Sequence, residues 1–571
     1  YVKLTSTLRC GYHQYQFGNN ENRQILFNLA RANNRVVDWQ IQQVDENILQ
    51  GYQDIRDEKV YFYAILNTPI EKLEKVAEGK REGRSLVHLK NNNNNGPVEM
   101  KIGLSYVSVE NAKQNLEQEI GAKTFDQVRK DADKTWETLL SKIEVSGGTQ
   151  KQKQMFYSSL YRAFLWPALR SDVNGQYTDE KKNVVKGDFN YYTVPSLWDT
   201  YRNKLILLGI VSPEVTADVI QSLKDRGDKT GFIPTFFHGD HAAPFIAGSY
   251  ARGITGFDVN SAYKHLLNNA FKEGPSRPHL NEYMAKGFIS DPDVEKPHVE
   301  TKGKAGVSKT LEYAYDDYAL AQLAKQLGDT ANYRMLMTRS NNYKNVFDPS
   351  TRFMRGRLEN GDWIKNFNPQ YPYYEYMYRE ANAWQVSFFA PHDMKGLIQL
   401  YGGEKAFESK LDSLYTVPWN PSYIARNVET MIGQYCHGNQ PDHEAPFAYH
   451  FINKPEKSQQ VIDFILDSLY GMGKEGLDLS GMDDAGEMSS WYVFSALGLY
   501  PFSPADAEYI VTVPIFDEVK WHTQDGKTLI INKSGPGRAM QQIRVNNKIN
   551  EGYFVPHDLF KSGGQVEVIT K

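Results

Sequence analysis

The sequence predicts a multidomain chain of mixed α and β structure: an N-terminal β-sandwich, a helical linker, a closed toroid of helical hairpins and a short C-terminal β segment. Three observations carry this. Residues 1–108 are short alternating or β-branched runs broken by polar turns, which read as strands at close spacing. Residues 109–148 turn charged and amphipathic. From 149 to 503 apolar residues recur at i, i+3 and i+4 in helix-length segments joined by long loops. A simple bundle has no need of such loops.

In the sandwich, TSTLRCGYHQYQF, RVVDWQIQQV, VYFYAILNT, GRSLVHLK and PVEMKIGLSYVSV read as strands. Asn91 to Asn95, followed by Gly96-Pro97, read as a hairpin or loop tip. NAKQNLEQEI and FDQVRKDADKTWETLLSKIEV read as linker helices, closed by Gly147-Gly148. The toroid helices are predicted over Lys151–Leu165, Tyr201–Leu223, Asn260–Phe271, Leu311–Leu327, Ala331–Val346, Trp384–Leu400, Glu404–Ser413, Lys457–Leu469 and Gly486–Leu499. The intervening loops carry Trp, Asp, Glu, His and Gly, as functional loops on a rigid scaffold do. Over 504–571, YIVTVPIF, EVKWHT, TLIINK, QQIRVNN and QVEVIT return to β and are expected to pack beside the toroid or the sandwich.

At 571 residues the chain is too long for one ordinary core. Its 40% apolar and 23% charged residues are those of a globular, soluble protein. A net charge of −4 without any basic run argues against a nucleic-acid partner. No apolar run reaches the roughly 18 residues a membrane span needs. Cys10 and Cys436 form no CxxC pair, which excludes a zinc–cysteine site, and no disulfide is expected between such distant segments. The chain opens at Tyr1 inside a predicted strand, without Met or a signal peptide, as a processed or trimmed form would.

Five stretches hold residues suited to chemistry. In GMDDAGEMSSWYVFSALGLYP, Gly481 to Pro501, Asp483 and Asp484 sit on a Gly-bounded turn before an apolar helix. Such a pair serves as a helix cap or as a catalytic base, and the local sequence favours the cap. Glu380 lies among Tyr374, Tyr376, Tyr378 and Trp384; desolvation there would raise its pKa, as a general acid requires. The alternative is a first-turn Glu serving the helix dipole. Asn382 and Gln385 follow it and are candidates to face the same cleft. In LWDTYR, Trp198 could stack on a ring and Asp199 accept from hydroxyls, against the plainer reading of a core Trp and an N-cap. Gly239-Asp240-His241, with His238, reads equally as a ligand contact or a structured turn. The stretch from Gln434 to Glu444 mixes amide oxygens, imidazoles and carboxylates, which suits a hard cation such as calcium, without EF-hand or HExxH spacing.

Taken together these segments make the chain similar to glycoside hydrolase family 92, the calcium-dependent exo-acting α-mannosidases. The anchors are LWDTYR at 197–202, LEYAYDD at 311–317, EANAWQ at 380–385, PHD at 391–393, GQYCHGNQP at 433–441 and DDAGEMSSWYVFSALGLYP at 483–501. The resemblance implies a β-sandwich, a helical linker and an (α/α)6 barrel, with the sandwich lacking its first strands. It implies inversion, with Glu380 as general acid, Asp484 as general base and Asp483 in support. It implies Ca2+ on the O2 and O3 hydroxyls of a terminal mannose, with Asn439 and Gln440 in the stretch associated with the metal. Trp198, Asp199, Arg202, Asn382, Gln385, His437, His443 and Glu444 are the implied substrate-binding residues. The substrate would be a mannose-containing glycan such as an N-glycan. The protein would be a monomer or small homo-oligomer, in the periplasm or secreted. Two departures stand out. Met482 replaces the usual Asn or Asp, and Asn439-Gln440-Pro441-Asp442-His443-Glu444 replaces Asn-Glu-Pro followed by Ser-His-His. The first removes a polar partner close to the base, and the second, near the leaving-group side, bears on linkage preference. The alternatives are another toroid sugar enzyme (a phosphorylase or a lyase) and a non-catalytic glycan-binding relative.

Overall fold

A period of two along a strand sends successive side chains to opposite faces, and the N-terminal region uses both. The computed structural model describes residues 1–571 except 19–21, 57, 78–81, 91–95, 424, 426, 475 and 524–525; the Asn91–Asn95 tip therefore lies outside the described residues. Two compact units emerge, Tyr1–Leu139 with Ala168–Thr193, and Leu140–Pro167 with Val194–Lys571.

In the first unit a six-stranded antiparallel sheet runs in the order Val2–Ser6, Cys10–Tyr15, Val98–Ser105, Lys59–Leu66, Ile48–Asp54, Asp38–Asp45. A three-stranded sheet, Gln24–Asn28, Arg84–Leu89, Ile70–Ala77, packs on it. Ile41, Leu49, Phe62, Leu66 and Met100 from the larger sheet meet Ile25, Ile70, Val87 and Leu89 from the smaller one in the core. The alternate residues Cys10, Tyr12 and Tyr63 bury under the helix Val109–Glu119 with Ala112 and Leu116. Gly103 makes that approach possible, since a Cβ there would lie 2.1 Å from the Ala112 carbonyl oxygen. The first predicted linker helix is thus a wall of the β domain.

The expected domain boundary also shifts. Residues 168–193 return to the first unit instead of continuing the helical domain predicted over 149–503. The reason is a buried carboxylate: Asp172 accepts from Ser105 Oγ at 2.7 Å, Asn111 Nδ2 at 2.8 Å and Asn115 Nδ2 at 2.7 Å. Three donors from one neighbourhood offset its desolvation and hold the segment in place.

The second unit is mostly helical. Its most enclosed helices are Gly306–Gln326 and Glu487–Leu497, the latter buried at every position, which fits their lack of a polar stripe. Glu487–Leu497 packs on Gln150–Ala163, and Gly306–Gln326 packs on Ala242–Ala251 and Thr330–Arg339. Two predicted helices are interrupted. Tyr201–Leu223 breaks at Ser212, where Pro213 opens a new helix to Thr230. Trp384–Leu400 is a four-residue turn, Ala383–Val386, then a second helix from Met394, which Asp393 caps by accepting from the Gly396 amide at 2.9 Å. The Pro-His-Asp segment is therefore a break followed by a cap. A second six-stranded sheet closes this unit, in the order Ile143–Ser146, Glu518–His522, Thr528–Ser534, Gly564–Thr570, Met540–Val545, Lys548–Ile549. Its first strand comes from the end of the predicted linker. Gln459 Oε1, accepting from the Val513 amide at 2.8 Å, ties the C-terminal region to the helical part. Cys10 and Cys436 are both free and buried.

Candidate active site

Two glycines bring the distant acidic loops together. Gly438 and Gly481 approach backbone to backbone, so that a Cβ on Gly481 would lie 2.5 Å from the Gly438 carbonyl oxygen. Neither position has space for a side chain. The Asn439-Gln440 loop is thereby seated beside the Asp483-Asp484 turn.

Glu380 lies in the short strand Arg379–Ala381, paired with Tyr373–Glu375, and is not in a helix. It is 4% exposed and has φ +47°, the left-handed region that a non-glycine residue enters at a cost of about 1–3 kcal/mol. Asp484 opens a one-turn 3-10 helix with φ +46°, followed by Ala485 at +59°. Both acidic residues thus occupy strained backbone, and each is met by an amide of one dipeptide. Asn439 Nδ2 donates to the Glu380 carbonyl at 2.9 Å and lies 3.5 Å from Glu380 Oε2. Gln440 Nε2 donates to Asp484 Oδ2. Asn427 Nδ2 adds a hydrogen bond to Glu380 Oε2 at 3.1 Å.

The adjacent aspartates separate cleanly. Asp483 Oδ1 accepts from Ser489 N at 3.0 Å and Ser489 Oγ at 2.7 Å, so it satisfies a first-turn amide of the Glu487–Leu497 helix, whose N-cap position is Gly486. Asp484 takes no part in capping. Burial, together with the nearby charges of Glu487 and Glu380, pushes its pKa up to about 6, against the hydrogen bond from Gln440.

Asp199 sits in the one-turn helix Leu197–Thr200, whose N-cap is Ser196. Burial first, and then the charges of Asp484 and Glu487, hold its carboxyl well above the ordinary range, more than Arg202 offsets. Trp198 is buried and donates from Nε1 to Glu312 Oε1 at 3.0 Å. Arg202 is 2% exposed and its guanidinium engages Glu444 at 3.1 and 3.3 Å. Trp198, Arg202, Glu312, Arg379 and Pro441 line one pocket, next in sequence to Asp199, Glu380 and Gln440.

The other sequence-predicted residues have protein partners. Asn382 and Gln385 form a reciprocal capping box and bond to Gln434. His437 is bridged between Tyr435 Oη at 2.8 Å and Tyr470 Oη at 2.9 Å. His443 pairs through Nδ1 with Glu487 Oε1 at 3.0 Å, and its other nitrogen reaches the His437 carbonyl at 3.0 Å. Asn382, Gln385 and His437 thus turn polar groups to protein partners. Met482 is 63% exposed at the edge of the turn. Sequence reasoning passed over Asn427, Asn203 and Glu487. Asn203 donates to Glu487 Oε1 at 2.8 Å, and Glu487 Oε2 is buried without a hydrogen-bond partner among the described residues. The third acidic residue of DDAGE was the available signal.

A metal would find a neutral oxygen here: Gln440 Oε1 is buried and lacks a partner among the described residues. A hard oxygen of this kind suits calcium.

The family model described as the glycosyl hydrolase family 92 catalytic domain matches residues 111–570, and the family's N-terminal domain matches residues 1–105. A family GH92 α-mannosidase of Bacteroides thetaiotaomicron, solved in complex with mannoimidazole, superposes with a TM-score of 0.92 at 27% identity, over 100% of this chain and 79% of that one. A GH92 inverting mannosidase of the same organism shares the fold, with a TM-score of 0.86 at 23% identity over 100% of this chain and 81% of that one. An uncharacterized secreted glycosidase of Arthroderma benhamiae is 27% identical over 521 residues, 83% of this chain; the chain spans 61% of that protein's length.

Proposed function

This chain belongs to glycosyl hydrolase family 92, and we propose that it is an exo-acting α-mannosidase that releases terminal α-linked mannose with inversion. The observation that carries the reading is the Asn439-Gln440 dipeptide, which sets one amide on Glu380 and the next on Asp484. Inversion needs two carboxyl groups on opposite sides of the scissile bond with a water between them. Glu380 gives its proton to the departing glycosidic oxygen. Asp484 takes a proton from the water that attacks the anomeric carbon from the other face. A carboxylate with a pKa of about 6 is a stronger base than an ordinary Asp and is still ionised at neutral pH. Asp483 orients the turn, and Asp199 accepts from hydroxyls of the bound sugar.

Asn439 and Gln440 are the residues that would hold calcium. A bound calcium ion would supply positive charge to hydroxyls of the sugar and would favour a planar, oxocarbenium-like ring. Arg202, Glu444 and His443 shape the sugar subsite from behind. The helical part corresponds to the (α/α)6 barrel of the family, the substrate is a mannose-containing glycan, and the protein is periplasmic or secreted. Among the described residues no helix is long and apolar enough to cross a membrane.

The test is incubation with α-1,2-, α-1,3-, α-1,4- and α-1,6-linked mannobioses, with calcium or with EDTA, following the first anomer by NMR. β-Mannose should appear first, and only with calcium. First release of α-mannose would contradict inversion, and indifference to EDTA would remove the metal. A need for phosphate would identify a phosphorylase, and an ultraviolet-absorbing unsaturated product a lyase.

A further inference from the structure

Phe236 and Phe237 are large apolar residues left 42% and 41% exposed beside the site. Phe237 has φ +63°, and the His238 amide donates to the Phe236 carbonyl at 2.8 Å. That closes a γ-turn of the rare positive-φ kind, a strained conformation for an aromatic residue. The ring contacts the two sides of the site. Trp198, the neighbour of Asp199, makes a T-shaped pair with it, ring centroids 5.2 Å apart at 74°. The guanidinium of Arg379, the neighbour of Glu380, lies 3.9 Å from its centroid.

Buried partners hold the strain. His238 Nε2 lies 3.1 Å from Glu312 Oε2, and Glu312 also holds Trp198. Asp316 accepts from the Asp240 amide at 2.8 Å and pairs with His241 Nδ1 at 2.9 Å. Arg277 bridges Asp240 at 2.8 Å and Asp317 at 2.6 Å. The His238–His241 and Leu311–Asp317 segments thus have a shared task, to present one aromatic turn.

We propose that Phe237, with Phe236 beside it, is the platform for the sugar on the leaving-group side of the scissile bond. The apolar C–H face of a pyranose stacks on an aromatic ring, and this ring adjoins the residue next to the general acid, where the leaving group departs. The inference rests on the mannosidase reading above. It is tested by comparing α-mannosyl fluoride, whose leaving group contains no sugar, with the best mannobiose. Phe237→Gly removes the ring while accepting the positive φ, and Phe237→Tyr keeps the ring. The ratio of kcat/KM on mannobiose to that on the fluoride should fall by about tenfold or more in Phe237→Gly, mainly through KM, as expected for losing one aromatic contact. Phe237→Tyr should keep the wild-type ratio. An unchanged ratio in Phe237→Gly, whether both rates fall together or neither does, overturns the platform while leaving the mannosidase reading intact. Wild type inert on both substrates overturns that reading and the platform with it.

Discussion

Two buried carboxylates in the helical unit, Asp317 and Asp484, are treated in opposite ways. Beside Arg277, Asp317 is matched with cations. Asp317 accepts from Arg277, from Arg339 Nε at 2.7 Å and from Tyr283 Oη at 3.1 Å. Burial alone would raise its pKa, yet Arg339 and Arg277 bring it below the ordinary carboxylate value. Around Asp484, the acids outnumber the cations among the described residues. Arg202 is occupied by Glu444, and Glu380 and Asp484 are given the amides of Asn427, Asn439 and Gln440. Asp199 and Asp484 are accordingly driven up. Two arginines bring Asp317 down, whereas Asp240, which shares Arg277 but faces Asp316, is still pushed up by burial; Asp484, supplied with the Gln440 amide, stays poised for proton transfer.

The comparison predicts unlike outcomes around the two carboxylates. The largest effect is expected for Asp484→Asn, which should lower turnover of both mannobiose and α-mannosyl fluoride by about 10³–10⁴-fold, roughly 4–5 kcal/mol in the barrier. Retained turnover on either substrate would take the base away from Asp484. Arg277→Met should instead destabilise the fold by about 3–5 kcal/mol in urea titration, because it strands Asp240 and Asp317 without their cation. A change below about 1 kcal/mol would show that this lattice is not what supports the unit. The smallest effect is a selective one. Glu380→Gln should slow mannobiose by about 10²–10³-fold and α-mannosyl fluoride by much less, since fluoride departs without protonation. Equal losses on the two would exclude Glu380 as the acid.

Part of the fold was legible in the sequence. Alternation marked Lys59–Leu66 and Val98–Ser105 as strands because period two survives in the sequence. It missed Ile48–Asp54, where Gln50 and Gly51 blur the alternation. It also missed the helix Ala242–Ala251, whose small and apolar residues show no stripe. The return of residues 168–193 to the β domain was invisible, because it depends on Asn111 and Asn115 meeting Asp172 across the chain. At the site, residue types singled out Glu380, Asp484, Asn439 and Gln440, which the fold assembles. Residue types do not tell a sugar-binding amide from a capping one, and Asn382 and Gln385 form a capping box. They gave no sign of Phe237, since nothing in a Phe-Phe pair announces a strained turn.

The central claim is that Asp484 is held as a base against its own burial. The direct measurement is the unfolding free energy of wild type and Asp484→Asn from pH 4 to 7.5, with both chains free of substrate. An unfolded aspartate titrates near 3.9, about two units below the folded value of about 6, and one unit is worth about 1.4 kcal/mol. The folded-state pKa is raised, so the wild-type carboxyl costs nothing below pH 4, costs progressively more as pH rises to 6, and levels off above. The neutral amide escapes that cost. The two proteins should be nearly equal at pH 4, and Asp484→Asn should be the more stable by about 2–3 kcal/mol at pH 7.5. An Asp484→Asn variant less stable than wild type at pH 7.5, or a difference that does not change with pH, would contradict the claim.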